Sequence, residues 1–525
     1  MSWVSPNGPR KRYAHAVVMT LVFGALCAML AGCGGGGAGM SPKLGAGSEG
    51  NFNAMNAENY GAIVENEFHS PLVEPRSTFS ADVNTASYSN VRRFIMQQDQ
   101  LPPKDAVLLA ELVNYFPYRY PTPTGDKPVS LTLDIAPCPW KAEHKLVRIG
   151  VRAKDIAPSE MPPRNLVFLI DISGSMAQEN RLPLVQKSLN LLIDQLTDKD
   201  RVSIVTYASG VSLKLTPTPG SRKQKIRDAV NSLGAGGSTN GEGGIQLAYE
   251  TARRSFIEGG ANRVILCTDG DFNVGVHNES DLKQLIEKER TSGVFLTVLG
   301  YGMGNLKNQQ LETLANHGNG HYAYIDTLDE AKKVFVEQGG ALVCVANDVK
   351  FQVDFNPAKV NAYRLIGYEN RILKQEDFKN DAKDAGDMGS GHTVTALYEI
   401  VPVGVKIDLP SVDPLKYQKP AQATGNANEW LTVKMRYKAP DSDASKELTA
   451  ELTGTGGEAM SEDFRFASAV VEFGLVLRDS QYKGNANFDA VIERTSRALS
   501  YDPNGHRKEF VEMVKKAKGL RKNAE

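Results

Sequence analysis

At 525 residues, 41% hydrophobic and 23% charged, the chain is long enough for roughly two to four domains and has the composition of an ordinary soluble globular protein. A formal net charge of −1, with no basic stripe carrying interleaved aromatics, excludes a nucleic-acid binder.

The N-terminus reads as a targeting device. Arg10, Lys11 and Arg12 precede an apolar stretch over residues 14–30 that ends in small residues. Its end, Leu30-Ala31-Gly32-Cys33, resembles a bacterial lipoprotein signal. That resemblance implies a signal peptide over 1–32 and a lipidated Cys33. An ordinary secretory signal or an uncleaved anchor is the alternative, but the stretch is short for a span and the glycine run behind it is a poor stop-transfer flank. The body is expected to be anchored by lipid rather than to cross the bilayer. Gly34 in place of Asp implies, in the Gram-negative sorting scheme, the outer membrane of the cell envelope, with the body periplasmic or surface-exposed. Residues 33–75 are then the lipidated Cys and a flexible tether, rich in Gly, Ala and Ser to 50 and Asn-rich beyond.

Residues 76–160 read as an N-terminal companion domain. Apolar residues recur at helical spacing over 86–96 and 106–116, and 129–135 and 145–151 alternate as strands. From 165 to 340 strands and helices alternate. Strands are expected at 166–170, 202–207, 211–215, 264–268, 294–299 and 321–325, with helices at 182–196, 223–233, 245–256, 282–291 and 306–316. This rhythm predicts an α/β fold with a doubly wound, mostly parallel sheet, and the short second connection predicts one antiparallel hairpin at an edge. Alternation over 349–355, 393–400 and 431–437 predicts an antiparallel β-sandwich-like domain over 341–458. A C-terminal helical region over 459–525 follows, with helices at 466–473, 488–499 and 510–517, the last packed rather than membrane-bound. Of the cysteines left after export, Cys267 lies in an apolar run and reads as a buried thiol, while Cys138 and Cys344 leave a disulfide open.

The chemistry concentrates at Asp171-Ile172-Ser173-Gly174-Ser175, directly after the branched run Leu166-Val167-Phe168-Leu169-Ile170. A carboxylate and two hydroxyls at alternate positions sit just past the carboxyl end of a buried parallel strand, where ligand sites in open α/β sheets form. Hard oxygen donors of this kind suit Mg²⁺, with Mn²⁺ or Ca²⁺ as alternatives. Thr239, in the glycine-rich loop Gly236-Gly237-Ser238-Thr239-Asn240, can bring a further hydroxyl, and Asp269, in Thr268-Asp269-Gly270-Asp271, a second carboxylate.

These ordered segments resemble the metal-ion-dependent adhesion site (MIDAS) of von Willebrand factor type A domains. The resemblance implies that Ser173 and Ser175 ligate the cation directly and Thr239 when the site is engaged. Asp171 and Asp269 then act through water or as direct alternatives, and an open position takes Asp or Glu from a protein partner. The flanks extend the likeness. Ser70-Pro71-Leu72-Val73-Glu74-Pro75, Val113-Asn114-Tyr115-Phe116-Pro117-Tyr118, Pro137-Cys138-Pro139-Trp140 and His392-Thr393-Val394-Thr395 resemble a group of bacterial lipoproteins. In that group such a domain lies between an N-terminal companion domain and a C-terminal domain of unknown function.

Other motifs carry less. Gly300, Gly302 and Gly304 are misplaced for a dinucleotide loop and read as a plain turn. His317 and His321 are separated by helix-breaking glycines, and Asp381, Asp384 and Asp387 read as a solvated acidic loop. The expectation is therefore a metal-dependent protein-binding lipoprotein of the bacterial envelope, not an enzyme. A metal-assisted hydrolase is the alternative, but it needs a base and no His lies in the ligand segments. An envelope assembly scaffold with incidental metal is the third reading.

Overall fold

The computed structural model describes residues 58–239, 241–270, 272, 279–304, 307–383, 385–409, 428–440, 442 and 444–524. The signal peptide, Cys33 and most of the tether lie outside the described residues, as do Asn240, Asp271 and Asp384. Among the described residues no helix is long and apolar enough to cross a membrane.

In chain order come strand β1 (Arg76–Ser80), helices α1 (Ala86–Arg92) and α2 (Leu109–Asn114), and the hairpin β2 (Val129–Pro137) and β3 (Lys145–Ala153). The α/β portion follows: β4 (Arg164–Asp171), α3 (Leu182–Asp194), β5 (Arg201–Tyr207), β6 (Val211–Pro219), α4 (Lys223–Asn231), α5 (Gly241–Arg254), β7 (Ala261–Thr268), α6 (Glu279–Thr291), β8 (Val294–Tyr301), α7 (Asn308–His317), β9 (Tyr322–Ile325) and α8 (Leu328–Lys332). Beyond it run β10 (Cys344–Phe355), β11 (Val360–Ile366), β12 (Gly386–Gly389), β13 (Thr393–Pro402), β14 (Glu429–Lys438) and β15 (Ser445–Thr453). Three helices close the chain: α9 (Glu462–Arg478), α10 (Phe488–Ser496) and α11 (His506–Ala524).

The α/β sheet has the order β6-β5-β4-β7-β8-β9, parallel throughout except for the antiparallel β5–β6 pair at its edge. Alternation along β4 explains why it lies at the centre. Leu166, Phe168 and Ile170 enter a core under α3 and α4, whereas Val167 and Leu169 enter another under α5, α6 and α7. A strand buried on both faces must be apolar at every position, and each such side chain contributes about 1.5–3 kcal/mol on burial. The helices answer with stripes at three- and four-residue spacing, Leu182, Val185, Leu189 and Leu192 on α3, and Ile245, Ala248, Tyr249 and Ala252 on α5. The chain leaves β4 toward β5 and leaves β7 toward β8, so a crevice opens at the carboxyl ends of β4 and β7.

The remaining strands form a sandwich whose two sheets run β1-β10-β14-β15, with β12 beside β10, and β11-β13-β3-β2. Strand β1 pairs with β10 (Phe79 opposite Phe351) and β3 with β13 (Val147 opposite Tyr398). The stretches set apart in sequence as a companion domain over 76–160 and a sandwich over 341–458 are therefore joined in one body. Each sheet needs strands from both stretches to complete its hydrogen bonds, and the inward faces share one core built on Phe79, Val147, Ile149, Phe351, Val353 and Tyr398. Helices α9, α10 and α11 cover the outer face of the β3 sheet together with α1 and α2, through Phe466, Phe473, Phe510 and Trp140.

The tether assignment over 33–75 needs correction from residue 58 onward. Glu58 pairs with Arg93, Asn66 donates to the Leu365 and Gly367 carbonyls, and His69 bridges to Tyr363. This strap is pinned because its backbone and side-chain polar groups find fixed partners on the body. Cys138, Cys267 and Cys344 are all free thiols, so Cys138 and Cys344 do not pair, and Cys267 is buried within β7 as expected.

Candidate metal centre

Asp171 ends β4 fully buried, and its Oδ1 accepts the Ser173 amide at 2.8 Å. That bond turns the chain sharply, and a single turn of 3-10 helix over Gly174–Ala177 follows, plugged by the buried Met176. The turn brings the Ser173 and Ser175 hydroxyls to 3.1 Å from one another, the first buried and the second exposed. Two rungs tie this turn to the glycine-rich loop, the Gly174 amide to the Gly237 carbonyl at 2.9 Å and the Gly236 amide to the Ile172 carbonyl at 2.7 Å. Gly237 has φ +88°, and a Cβ there would lie 2.5 Å from the Ser209 Oγ, so only glycine lets the loop approach. Thr239 is half-buried at the end of that loop, just ahead of α5.

Asp269 follows β7, buried, with Oδ2 2.7 Å from Arg181 Nη1. Arg181 is itself buried. Its Nη1 donates to the Ser175 carbonyl at 2.6 Å and its Nη2 to the Met303 carbonyl at 2.8 Å. Gly302, at φ +79°, makes room for it, since a Cβ there would lie 2.5 Å from Arg181 Nε. The neighbouring Gly304 amide donates to Glu58 at 2.8 Å. The glycine turn after β8 is thus a ledge that seats Arg181, a role that motif reading missed. Only a basic residue a few positions after the Asp-x-Ser-x-Ser run could have hinted at it.

Burial pushes the Asp171 carboxyl up to about 6, with the negative charge of Asp269 adding to the rise and the bonds from Ser173 opposing it. Among the described residues Asp171 forms no ion pair, so its charge is a buried one that a cation would relieve. No cluster of three or more His, Cys, Asp or Glu forms among the described residues, so a cation here depends on hydroxyl donors. The donor geometry fits. Adjacent ligands of an octahedral Mg²⁺, each at about 2.0–2.1 Å, stand about 2.9 Å apart, close to the spacing of the two serine hydroxyls. Asp171, Ser173, Ser175 and Asp269 are gathered at the crevice mouth, and Thr239 ends the loop docked against them.

Residues 165–337 match the family described as von Willebrand factor type A domain, 54–148 that described as von Willebrand factor, and 340–520 that described as uncharacterized protein YfbK, C-terminal. Uncharacterized protein YfbK of Escherichia coli (strain K12) is 42% identical over 471 residues, covering 88% of this chain and 81% of that one. The chain belongs to the YfbK family. It is thus a bacterial von Willebrand type A-containing protein whose three matched segments run from 54 to 520. It is also similar to inter-alpha-trypsin inhibitor heavy chain H3 of Mesocricetus auratus, 29% identical over 187 residues, which cover 33% of this chain and only 20% of that relative. Among solved structures, a von Willebrand factor type A protein from Catenulispora acidiphila overlaps 73% of this chain and 89% of its own, at 16% identity and a TM-score of 0.40.

Proposed function

We propose that this YfbK-family chain is a metal-dependent protein-binding lipoprotein of the bacterial envelope. In this reading Asp171, Ser173, Ser175, Thr239 and Asp269 hold Mg²⁺, and an Asp or Glu of a protein partner completes its coordination. One observation carries the reading. Two serine hydroxyls stand 3.1 Å apart beside two buried carboxylates, at the sheet edge where ligands bind in open α/β folds. The exposed Ser175 leaves the cluster open to a partner on its outer side.

Bound Mg²⁺ would supply electrostatic attraction for a carboxylate. The chain's own residues do the rest. Asp171 fixes the turn through the Ser173 amide, and the Gly236–Gly237 rungs dock the loop that carries Thr239 against that turn. Arg181 offsets the charge of Asp269, so that the site does not accumulate repelling negative charge. Lipidation at Cys33 would fix the body to the membrane, and a Gly at position 34 supports the outer membrane. The test is capture from envelope extract by the purified chain in Mg²⁺ against EDTA, with Asp171→Ala as control. Partner capture that is indifferent to both EDTA and the substitution overturns the reading.

A further inference from the structure

The glycine turn after β8 is gripped from two sides at a single peptide group. Its carbonyl, on Met303, accepts from Arg181 Nη2 at 2.8 Å, and its amide, on Gly304, donates to Glu58 Oε1 at 2.8 Å. Among the described residues no other side chain bonds to the polar atoms of that peptide. Tyr324 holds the neighbouring Gly302 carbonyl instead, at 2.6 Å. The peptide is planar and rigid, so a shift of the amide away from Glu58 carries the Arg181 acceptor with it.

Glu58 is built to hold. Its side chain is 1% exposed, and Arg93 meets its two oxygens at 2.7 and 2.8 Å from the helical turn after α1. Burial raises the carboxyl, but Arg93 and the Gly304 amide outweigh it and keep Glu58 below the usual glutamate range. A charged acceptor makes the stronger hydrogen bond, so the amide is held firmly. On the far side, Arg181 Nη1 lies 2.7 Å from Asp269 Oδ2 and 2.6 Å from the Ser175 carbonyl. With both of its nitrogens fixed, the guanidinium cannot swing away from a dication beside Asp269, and like charges at that range repel.

We propose that Glu58 is a positioning residue of the metal centre: through the Met303–Gly304 peptide it clamps Arg181 against Asp269, so that release of the strap strengthens metal binding. This role rests on the proposed metal reading. It makes the strap a restraint on the site, and the strap is the stretch that runs back to Cys33. The proposed anchor and the metal centre meet at one carboxylate.

Glu58→Ala, Glu58→Gln and Arg181→Met, each in the full chain, are compared with the natural protein. In EDTA, hydrogen exchange at the Gly304 amide, read by mass spectrometry, should quicken about tenfold or more in Glu58→Ala, which loses a charged acceptor. Glu58→Gln keeps an oxygen there and should exchange nearly as the natural chain does. By calorimetry Glu58→Ala should bind Mg²⁺ about threefold more tightly, with Glu58→Gln close to the natural chain. Unchanged exchange in Glu58→Ala, or faster exchange with Mg²⁺ binding unchanged or weaker, overturns the proposal. A natural chain that takes up no Mg²⁺ overturns the metal reading and this role with it. Mg²⁺ uptake that responds to Arg181→Met but not to Glu58→Ala overturns this role alone. Where Glu58→Ala folds poorly because Arg93 is stranded, Glu58→Ala combined with Arg93→Met removes both charges and carries the same expectations.

Discussion

The guanidinium of Arg181 lies 2.7 Å from the carboxylate of Asp269, so the crevice between β4 and β7 already contains one fixed cation of the chain's own. It balances Asp269 and, under the proposed metal reading, would oppose a dication bound beside it. Replacing it with Met should therefore act in two directions. In EDTA the buried Asp269 loses its counter-charge, and stability should fall by about 3 kcal/mol. In Mg²⁺ the same substitution should tighten metal binding about fivefold or more, because a repelling charge has left. Calorimetry and urea unfolding with and without Mg²⁺ read both; weaker Mg²⁺ binding in Arg181→Met would contradict the balance described.

Gly302→Ala tests the same residue from the other side. Its φ of +79° costs an L residue about 1–2 kcal/mol, and the new methyl would displace Arg181. The expected result is a destabilised chain whose Mg²⁺ affinity moves in the direction of Arg181→Met. Destabilisation with unchanged affinity would mean that the ledge has no hold on the centre.

Ser173→Ala removes one hydroxyl without disturbing the backbone bond from its amide to Asp171. The fold should survive, and Mg²⁺ affinity should drop by about tenfold or more. Circular dichroism alongside calorimetry separates the two effects.

Arg92 joins three parts of the chain. From α1 it reaches Asp326 just ahead of α8, Glu330 on α8 and Glu509 on α11, and it donates to the Tyr115 hydroxyl at 3.0 Å. Arg92→Ala would strand two buried carboxylates, at a cost of about 3–5 kcal/mol. Adding Asp326→Asn should recover part of that loss, so the double variant should be more stable than the sum of the singles. Simple additivity in urea unfolding would rule out the coupling.

Glu111 on α2 is buried and accepts the Ser87 amide at 2.8 Å. Burial and the facing charge of Glu312 push its carboxyl up to about 8, against the pull of the Ser87 amide and Arg371, with Asp82 reinforcing the rise. A raised carboxyl favours the folded state while protonated. Its contribution is complete below the ordinary Glu range and is lost as pH climbs through about 8. The unfolding temperature of the native chain should fall from about pH 5 to about pH 8 and level off above that, and Glu111→Gln should flatten the fall. An unchanged slope in the variant would assign the pH dependence elsewhere.

What could be read from residues alone tracks how local the cause is. The β4 run, the edge hairpin of β5 and β6 and the helical stripes follow from spacing within a dozen positions, and the Asp-x-Ser-x-Ser turn makes its own bonds over two. The sandwich was less legible. Val147 meets Tyr398 only after an entire α/β portion has intervened, and alternation in a strand says which face is apolar, never which strand lies beside it. Arg181 was invisible for the same reason, since an ion pair depends on what the fold brings up from elsewhere. The strap from Glu58 onward looked like tether because its composition is polar, yet polar groups anchor as well as solvate.

The interleaved sheets also set an order of events during synthesis. The edge of β3 waits for β13, and β1 waits for β10, so the first hairpin emerges with open hydrogen-bonding edges and no partner. The α/β portion between them draws its sheet entirely from its own stretch and can condense as soon as it is free. A growing chain would then complete its middle first and its beginning last, which leaves the nascent N-terminal strands as the stretch most in need of a chaperone's cover.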